Sequence, residues 1–462
     1  MESMDSDIRL LIVSYYYPPI EGAGLPGSQR VVKFVRHLPI ENITVLTVNQ
    51  EIHSPARLAD TNTKIPIKSE KIVRTRVYDV FGWLLNLRKM LNKIFYHGKA
   101  CSQSTNIATP DKSNDRTFAE KIKDYVYELC HFPDGASGWL LPGIVVGRKL
   151  LKRDRPDIIF ATGMPWTALL VACVLHKISG IPFVADFRDP WVGNPFHSSK
   201  GRMLDSLSVF LERIVIESAT LVSANTELLK DEFLVRYPHL SPEHFIVLPN
   251  GFDPGDFIKY ELEKYVKEET TDKLVITHAG YFYGDRDPAV LFEAIALLAR
   301  EDIVWLNRFR FVHMGQTSLN YDIRDRFKES LESGLFEDLG QVPYRQCLEQ
   351  LKESDVLLIL QGCTKTQVPS KLYDYLCINR PILTLTPKDG ALGQMIEKYS
   401  FGSMLEPKDS VGLADQLKAF WSEKQLKGQL ISEYPQKDRF NVRNITAILA
   451  DRLNDITKKT LG

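Results

Sequence analysis

Cysteine, net charge and long apolar runs are what this 462-residue sequence has least of. The six cysteines are Cys101, Cys130, Cys173, Cys347, Cys363 and Cys377. None forms a C-x-x-C pair, and none sits with histidine at zinc-ligand spacing. That argues against an oxidised framework and a structural zinc site, and it fits a reducing cytosol. Lys+Arg and Asp+Glu are equal at 58 each, so no bulk basic charge draws the chain to nucleic acid. No stretch of about 18 uninterrupted apolar residues is present, so no bilayer-spanning helix is expected. The segment Met1–Asp7 is acidic, unlike the basic start of a secretory signal. The expectation is a cytoplasmic protein, or one attached to the membrane from the cytoplasmic side.

What is there is the composition of a soluble globular protein, 44% hydrophobic and 25% charged, in a chain too long for one ordinary core. Continuous apolar runs suit strands buried on both faces of a parallel sheet. They fall at Arg9–Ser14, Ile43–Val48, Asp157–Thr162, Pro182–Asp186, Thr220–Ala224 and Phe245–Pro249. Helical patterns lie between them, the first from Ser28, read as its cap, to about His37. A charged stretch, 258–273, reads as a linker. The pattern then restarts at Leu274–His278, Arg310–Met314, Phe336–Leu339, Val356–Leu360 and Pro381–Leu385, and a helix near 441–457 closes it. The fold class is therefore α/β, with two Rossmann-like, doubly wound parallel sheets facing across a cleft. The expected division is 1–257, with an insertion at about 51–135, then 258–437, then 438–462 packing back on the first domain. Within the insertion, 100–117 reads as a polar loop.

Ile12–Pro19 with Gly22-Ala23-Gly24 and Arg30, then Arg155–Phe160, Asp186–Trp191, Val247–Asp253 and Val368–Leu376, taken in that order, resemble the motifs of family 4 glycosyltransferases. The resemblance spans about residues 8–410. It implies the GT-B fold and a nucleotide-sugar donor, a UDP- or GDP-sugar, held mainly by the second domain. It also implies retention of anomeric configuration, without a metal or a tightly bound cofactor. The acceptor it implies is a glycan or a polyprenyl-linked glycan of surface polysaccharide or glycolipid synthesis. Two alternatives stay open: a GT-B sugar-nucleotide epimerase, and a degenerate scaffold that binds a partner protein.

A sugar leaving a nucleoside diphosphate deposits negative charge, which cations and helix amides must stabilise where no metal does. Arg286 and Lys371 look like the family's basic pair for this task, with Ser370 as a helix cap beside Lys371. Gly22 and Gly24 sit in a literal G-x-G-x-x-G, but seven residues separate it from the strand. That is longer than a dinucleotide turn, so these glycines are read as letting backbone approach the donor or acceptor. In the 186–191 segment, Asp189 or Asp186 is read as orienting or deprotonating the acceptor, and Arg188 as pairing a phosphate. A structural Arg–Asp pair competes with that reading, and no histidine stands near Arg188, where many relatives carry one.

Asp374 takes the place of the family's ribose-binding Glu, while Thr366 replaces the first motif Glu. Gln361, Lys365 or Gln367 is the expected substitute for the sugar contact. Gly280 and the Val342 backbone are assigned to the donor, and Asp134 and Trp191, with Arg188, to the acceptor. Residues 82–99 mix apolar and basic side chains. They read either as an interfacial helix beside the acceptor site or as a core-packed helix with a basic edge.

Overall fold

The computed structural model describes residues 6–20, 27–49, 65–95, 118–194, 199–259, 272–328, 334–362 and 364–461. Seven strands build the first sheet: β1 (Ser6–Val13), β2 (Ile40–Val48), β3 (Lys71–Thr75), β4 (Ile158–Gly163), β5 (Phe183–Phe187), β6 (Leu221–Ala224) and β7 (Phe245–Val247). They lie in the order β3-β2-β1-β4-β5-β6-β7, all parallel. The second part of the chain adds β8 (Leu274–Ala279), β9 (Phe282–Tyr283), β10 (Phe309–Met314), β11 (Thr317–Ser318), β12 (Phe336–Asp338), β13 (Val356–Leu360), β14 (Ile382–Leu385) and β15 (Ser403–Leu405). Six of these form a second parallel sheet in the order β12-β10-β8-β13-β14-β15, and β9 pairs β11 apart from it.

The apolar runs work as a pleated strand requires. Leu10 and Ile12 enter one core cluster and Leu11 and Val13 the other, so β1 is buried on both faces. In the second sheet, Leu358 and Leu360 face one layer while Leu357 and Ile359 face its opposite. Each sheet reverses strand order once, between β1 and β4 and between β8 and β13. Crevices outside the carboxyl ends of such reversal points are where open α/β sheets bind ligands.

One helix face ties the two halves together. Helix Gly27–His37 presents Arg30, Lys33 and Arg36 to the crossover after β7. Arg30 donates to the carbonyls of Leu248 and Pro249, and Lys33 to that of Gly251. Arg36 pairs with Asp253 and Asp256. The returning chain lies alongside: Phe252 N–H donates to the Phe440 carbonyl at 3.0 Å, and Val442 N–H to that of Phe252 at 3.0 Å. Gly251 is required here, because a Cβ would stand 2.5 Å from the Phe440 carbonyl oxygen. Helix Val442–Leu461 then packs Val442, Ile445, Leu449 and Leu453 into the core of the first sheet.

Differences from the sequence reading are local. The first helix begins at Gly27, so Ser28 lies inside it. Edge strands β3 and β15 were not expected, nor was helix Phe118–Cys130. Gly22, Gly24, the whole of the loop 100–117 and the end of 82–99 lie outside the described residues.

Candidate active site

Several residues expected to carry chemistry lie at or beyond the carboxyl ends of β5, β8 and β13. Asp186 sits on β5, and Asp189 two residues beyond its end. Gly280 and Arg286 follow β8, Gln361 follows β13, and Lys371 opens helix Lys371–Ile378.

Asp186 is fully buried and fully engaged. Arg30 grips it with both arms, Nη2 to Oδ1 at 2.8 Å and Nε to Oδ2 at 3.0 Å. Thr162 Oγ1 and Ser223 Oγ donate to it as well. Burial opposes its charge, but the Arg30 guanidinium and these donors outweigh that and hold the carboxyl below the usual aspartate range. A fixed anion with four donors has no free lone pair aimed at an incoming hydroxyl. Its surroundings support a structural ion pair with Arg30 and not the proton-accepting role assigned from sequence.

Asp189 differs. It is partly exposed, and Gln367 Nε2 reaches from the second-sheet side to donate to its Oδ1 at 2.7 Å. Burial pushes its carboxyl up to about 6, against the pull of Arg188, the Gln367 hydrogen bond and Arg286. A second contact spans the cleft beside it, where Thr226 Oγ1 donates to the Thr366 carbonyl at 2.7 Å.

Arg188 turns away from a phosphate role. Its Nε donates to the Gly163 carbonyl at 3.0 Å and its Nη2 to that of Met164, which pins the 163–165 turn. Trp191 is 6% exposed and stacks on Trp166 at 5.6 Å inside the first core. Asp134 accepts from the amides of Ala136 and Thr167, each at 2.9 Å, and from Thr167 Oγ1 at 2.7 Å. It thereby caps the start of helix Thr167–Ser179. The geometry thus gives Trp191 and Asp134 packing and capping duties in place of the acceptor contacts expected of them.

On the second side, Arg286 Nη2 donates to Gln361 Oε1 at 3.0 Å, and its guanidinium lies over the Tyr283 ring at 5.2 Å. Lys371 Nζ stands 2.7 Å from His278 Nε2. Burial, then the nearby Arg286, pushes its ammonium well below the ordinary lysine range. Gly280, at φ +134°, leaves room for this lysine, since a Cβ there would lie 2.5 Å from Nζ. Ser370 occupies the position before the helix but makes no side-chain cap hydrogen bond, contrary to its expected capping.

Asp374 is partly exposed, and burial raises its carboxyl while Lys33 and a hydrogen bond from Tyr344 oppose the rise. Val342 is half-buried against the second-sheet core. Of the three expected sugar contacts, Gln361 bonds Arg286, Gln367 bonds Asp189 and Lys365 pairs with exposed Asp389. Sequence reasoning missed the partners: Arg30 for Asp186, Gln367 for Asp189 and His278 for Lys371. The available signal was a titratable residue at the end of an apolar run, as His278 is at the end of Leu274-Val275-Ile276-Thr277. No group of three metal-ligating side chains occurs among the described residues.

Residues 106–256 match the model of Glycosyltransferase Family 4. No curated protein matches the chain by sequence. Solved structures share its architecture along nearly the whole length. Anabaena Alr3699/HepE in complex with UDP is 15% identical, with a TM-score of 0.58, over 97% of this chain and 100% of that one. Sucrose-phosphate synthase from Thermosynechococcus elongatus is 11% identical, with a TM-score of 0.60, over 98% and 100%. An α,α-trehalose-phosphate synthase (UDP-forming) from Burkholderia vietnamiensis is 13% identical, with a TM-score of 0.57, over 98% and 100%. With two parallel sheets, each reversing strand order once, and this alignment along nearly the whole chain, the protein has the GT-B fold, and its residues 106–256 resemble Glycosyltransferase Family 4.

Proposed function

We propose that the protein transfers a sugar from a nucleoside-diphosphate donor to a glycan or lipid-linked acceptor, with retention of configuration. The observation that carries this reading is the convergence of Asp189, beyond the carboxyl end of β5, with Gln367, Arg286 and Lys371 of the second sheet's reversal point, joined by the Gln367–Asp189 hydrogen bond. In the proposed step, the bond from the anomeric carbon to the diphosphate oxygen breaks and a bond to the acceptor oxygen forms on the same face. Arg286 and Lys371 take the charge that develops on the diphosphate. The acceptor proton passes to Asp189 or to the departing phosphate oxygen. No protein nucleophile is needed, and Asp374 beside Tyr344 is the proposed ribose contact.

UDP is the first donor nucleotide to test, because HepE was solved in complex with UDP and the similar trehalose-phosphate synthase is UDP-forming. Calorimetric titration with UDP, GDP, CDP, TDP and ADP in buffer containing EDTA tests the reading. Binding of one nucleotide, followed by transfer from its sugar conjugate, is the expected result. Failure of all five to bind would overturn it and favour the scaffold alternative.

A lipid-linked acceptor would be met at a membrane surface, and the helix pair Val80–Phe95 and Phe118–Cys130 supports that finer reading. The two helices pack through Phe81 and Tyr127 at 5.1 Å, while Trp83 remains 63% and Met90 53% exposed. Exposed aromatic and thioether side chains of this kind suit peripheral contact. No helix among the described residues is long and apolar enough to cross a membrane.

A further inference from the structure

His278 is the penultimate residue of β8, with its ring fully buried, stacked on Phe282 at 4.6 Å and beside His313 at 5.7 Å. Its Nε2 meets Lys371 Nζ at 2.7 Å, and its Nδ1 has no hydrogen-bond partner among the described residues. Two basic nitrogens at that distance cannot both carry a full set of protons. One must accept from its neighbour, so the pair holds at most one positive charge. The lysine is confined from the other side by Gly280, whose carbonyl accepts from His313 Nε2 at 2.9 Å. His313 in turn faces Asp338 Oδ1 through Nδ1 at 3.1 Å. The result is a built layer, from Asp338 through His313 and Gly280 to the Lys371–His278 pair, behind the point where a diphosphate would sit.

We infer that His278 is a positioning residue, which holds Lys371 toward the leaving group and shares one proton with it, and that the pair takes up a proton from solvent when a nucleoside diphosphate binds. This rests on the donor-site reading above. Before binding, His278 Nε2–H donates to an uncharged Lys371 amine. On binding, the amine gains a solvent proton and its ammonium faces the phosphates, while His278 moves its own proton to Nδ1 and accepts from Lys371. The proton returns to solvent when the product leaves, so no net proton is consumed.

The charged and titratable groups around the pair are few. Arg286 and His313 disfavour a further positive charge, Asp338 acts through His313, and the Cys347 thiol, pushed up to about 12 by burial, stays uncharged. Burial disfavours charge on both partners. An arriving diphosphate reverses this balance by setting negative charge beside Lys371.

The test is the dependence of binding enthalpy on buffer ionisation enthalpy, with UDP and GDP as probes at pH 8. There a terminal phosphate, whose second ionisation lies at about 6, is already fully ionised and adds no proton change of its own. The expected result is net proton uptake by the wild type and none by Lys371→Met. His278→Phe, which preserves the ring stack, should weaken binding about tenfold in the wild type and leave the Lys371→Met protein unchanged. His278→Gln, which returns a polar atom to Lys371, should restore most of that loss. Binding without proton uptake would overturn the inference alone. So would an equal effect of His278→Phe in both backgrounds, which marks a merely structural role. Absence of UDP and GDP binding to the wild type would instead overturn the donor-site reading for these nucleotides, and this inference with it.

Discussion

Asp186 and Asp189 lie three positions apart in one turn of chain, yet they live in opposite electrostatic worlds. Asp186 has an arginine, a threonine and a serine donating to it, and its carboxyl is held below the usual aspartate range. Asp189 has one amide donor from across the cleft and a carboxyl pushed up to about 6. The difference teaches that residue type and place on a strand end do not decide a role. The number of donors aimed at the carboxylate does.

The contrast is broken most forcefully at Asp186. Changing Asp186→Asn strands the Arg30 guanidinium, and denaturant unfolding should show a loss of about 3–5 kcal/mol. Since Asp186 is held below the usual aspartate range, its stabilising charge is present above the unfolded-state value and is lost as pH falls through the folded one. Asp189→Asn should instead lower turnover about a hundredfold while the protein stays folded. At pH 8 this variant should be as stable as the wild type or more so. Asp189 is raised in the fold, so its ionisation costs stability as pH rises from the ordinary aspartate range through about 6. An Asp189→Asn protein that turned over at the wild-type rate would remove Asp189 from the proton step.

A finer distinction comes from pH. If ionised Asp189 accepts the proton, kcat/KM should rise with pH through about 6 and fall about tenfold per unit below it. That limb should vanish in Asp189→Asn, whereas a limb that survives belongs to another group. The smallest expected effect is at a third carboxylate. Asp134→Ala removes the cap of helix Thr167–Ser179 and should cost about 1–2 kcal/mol in thermal or denaturant unfolding, with turnover unchanged.

The fold was legible where burial is two-sided. Leu10–Val13 and Val356–Leu360 are apolar without interruption because both their faces are covered, and the strands appear there. Lys71-Ile-Val-Arg-Thr75 did not read as a strand because β3 lies at a sheet edge and is mostly half-buried. Its place is fixed from a distance: buried Glu70, just before it, accepts from Tyr17 Oη at 2.7 Å. At the site, the positions of Arg286 and Lys371 follow from strand–loop–helix order, which is local. The Arg30–Asp186 and Gln367–Asp189 bonds join residues 156 and 178 positions apart, and nothing in either segment names its partner. Asp134 and Trp191 show the complementary error. A turn aspartate and a loop tryptophan have the same letters whether they greet a ligand or cap and pack a neighbour.

The helix Val442–Leu461 carries a consequence for how the molecule comes into being. It covers the first sheet, yet the ribosome makes it only after the whole second sheet. A domain usually folds as a unit while synthesis continues. Here the first sheet must wait, with the surface around Val31, Val35 and Leu248 uncovered, until those residues emerge. The two halves are thus bound in time as well as in space: the first is completed only once the second has been made.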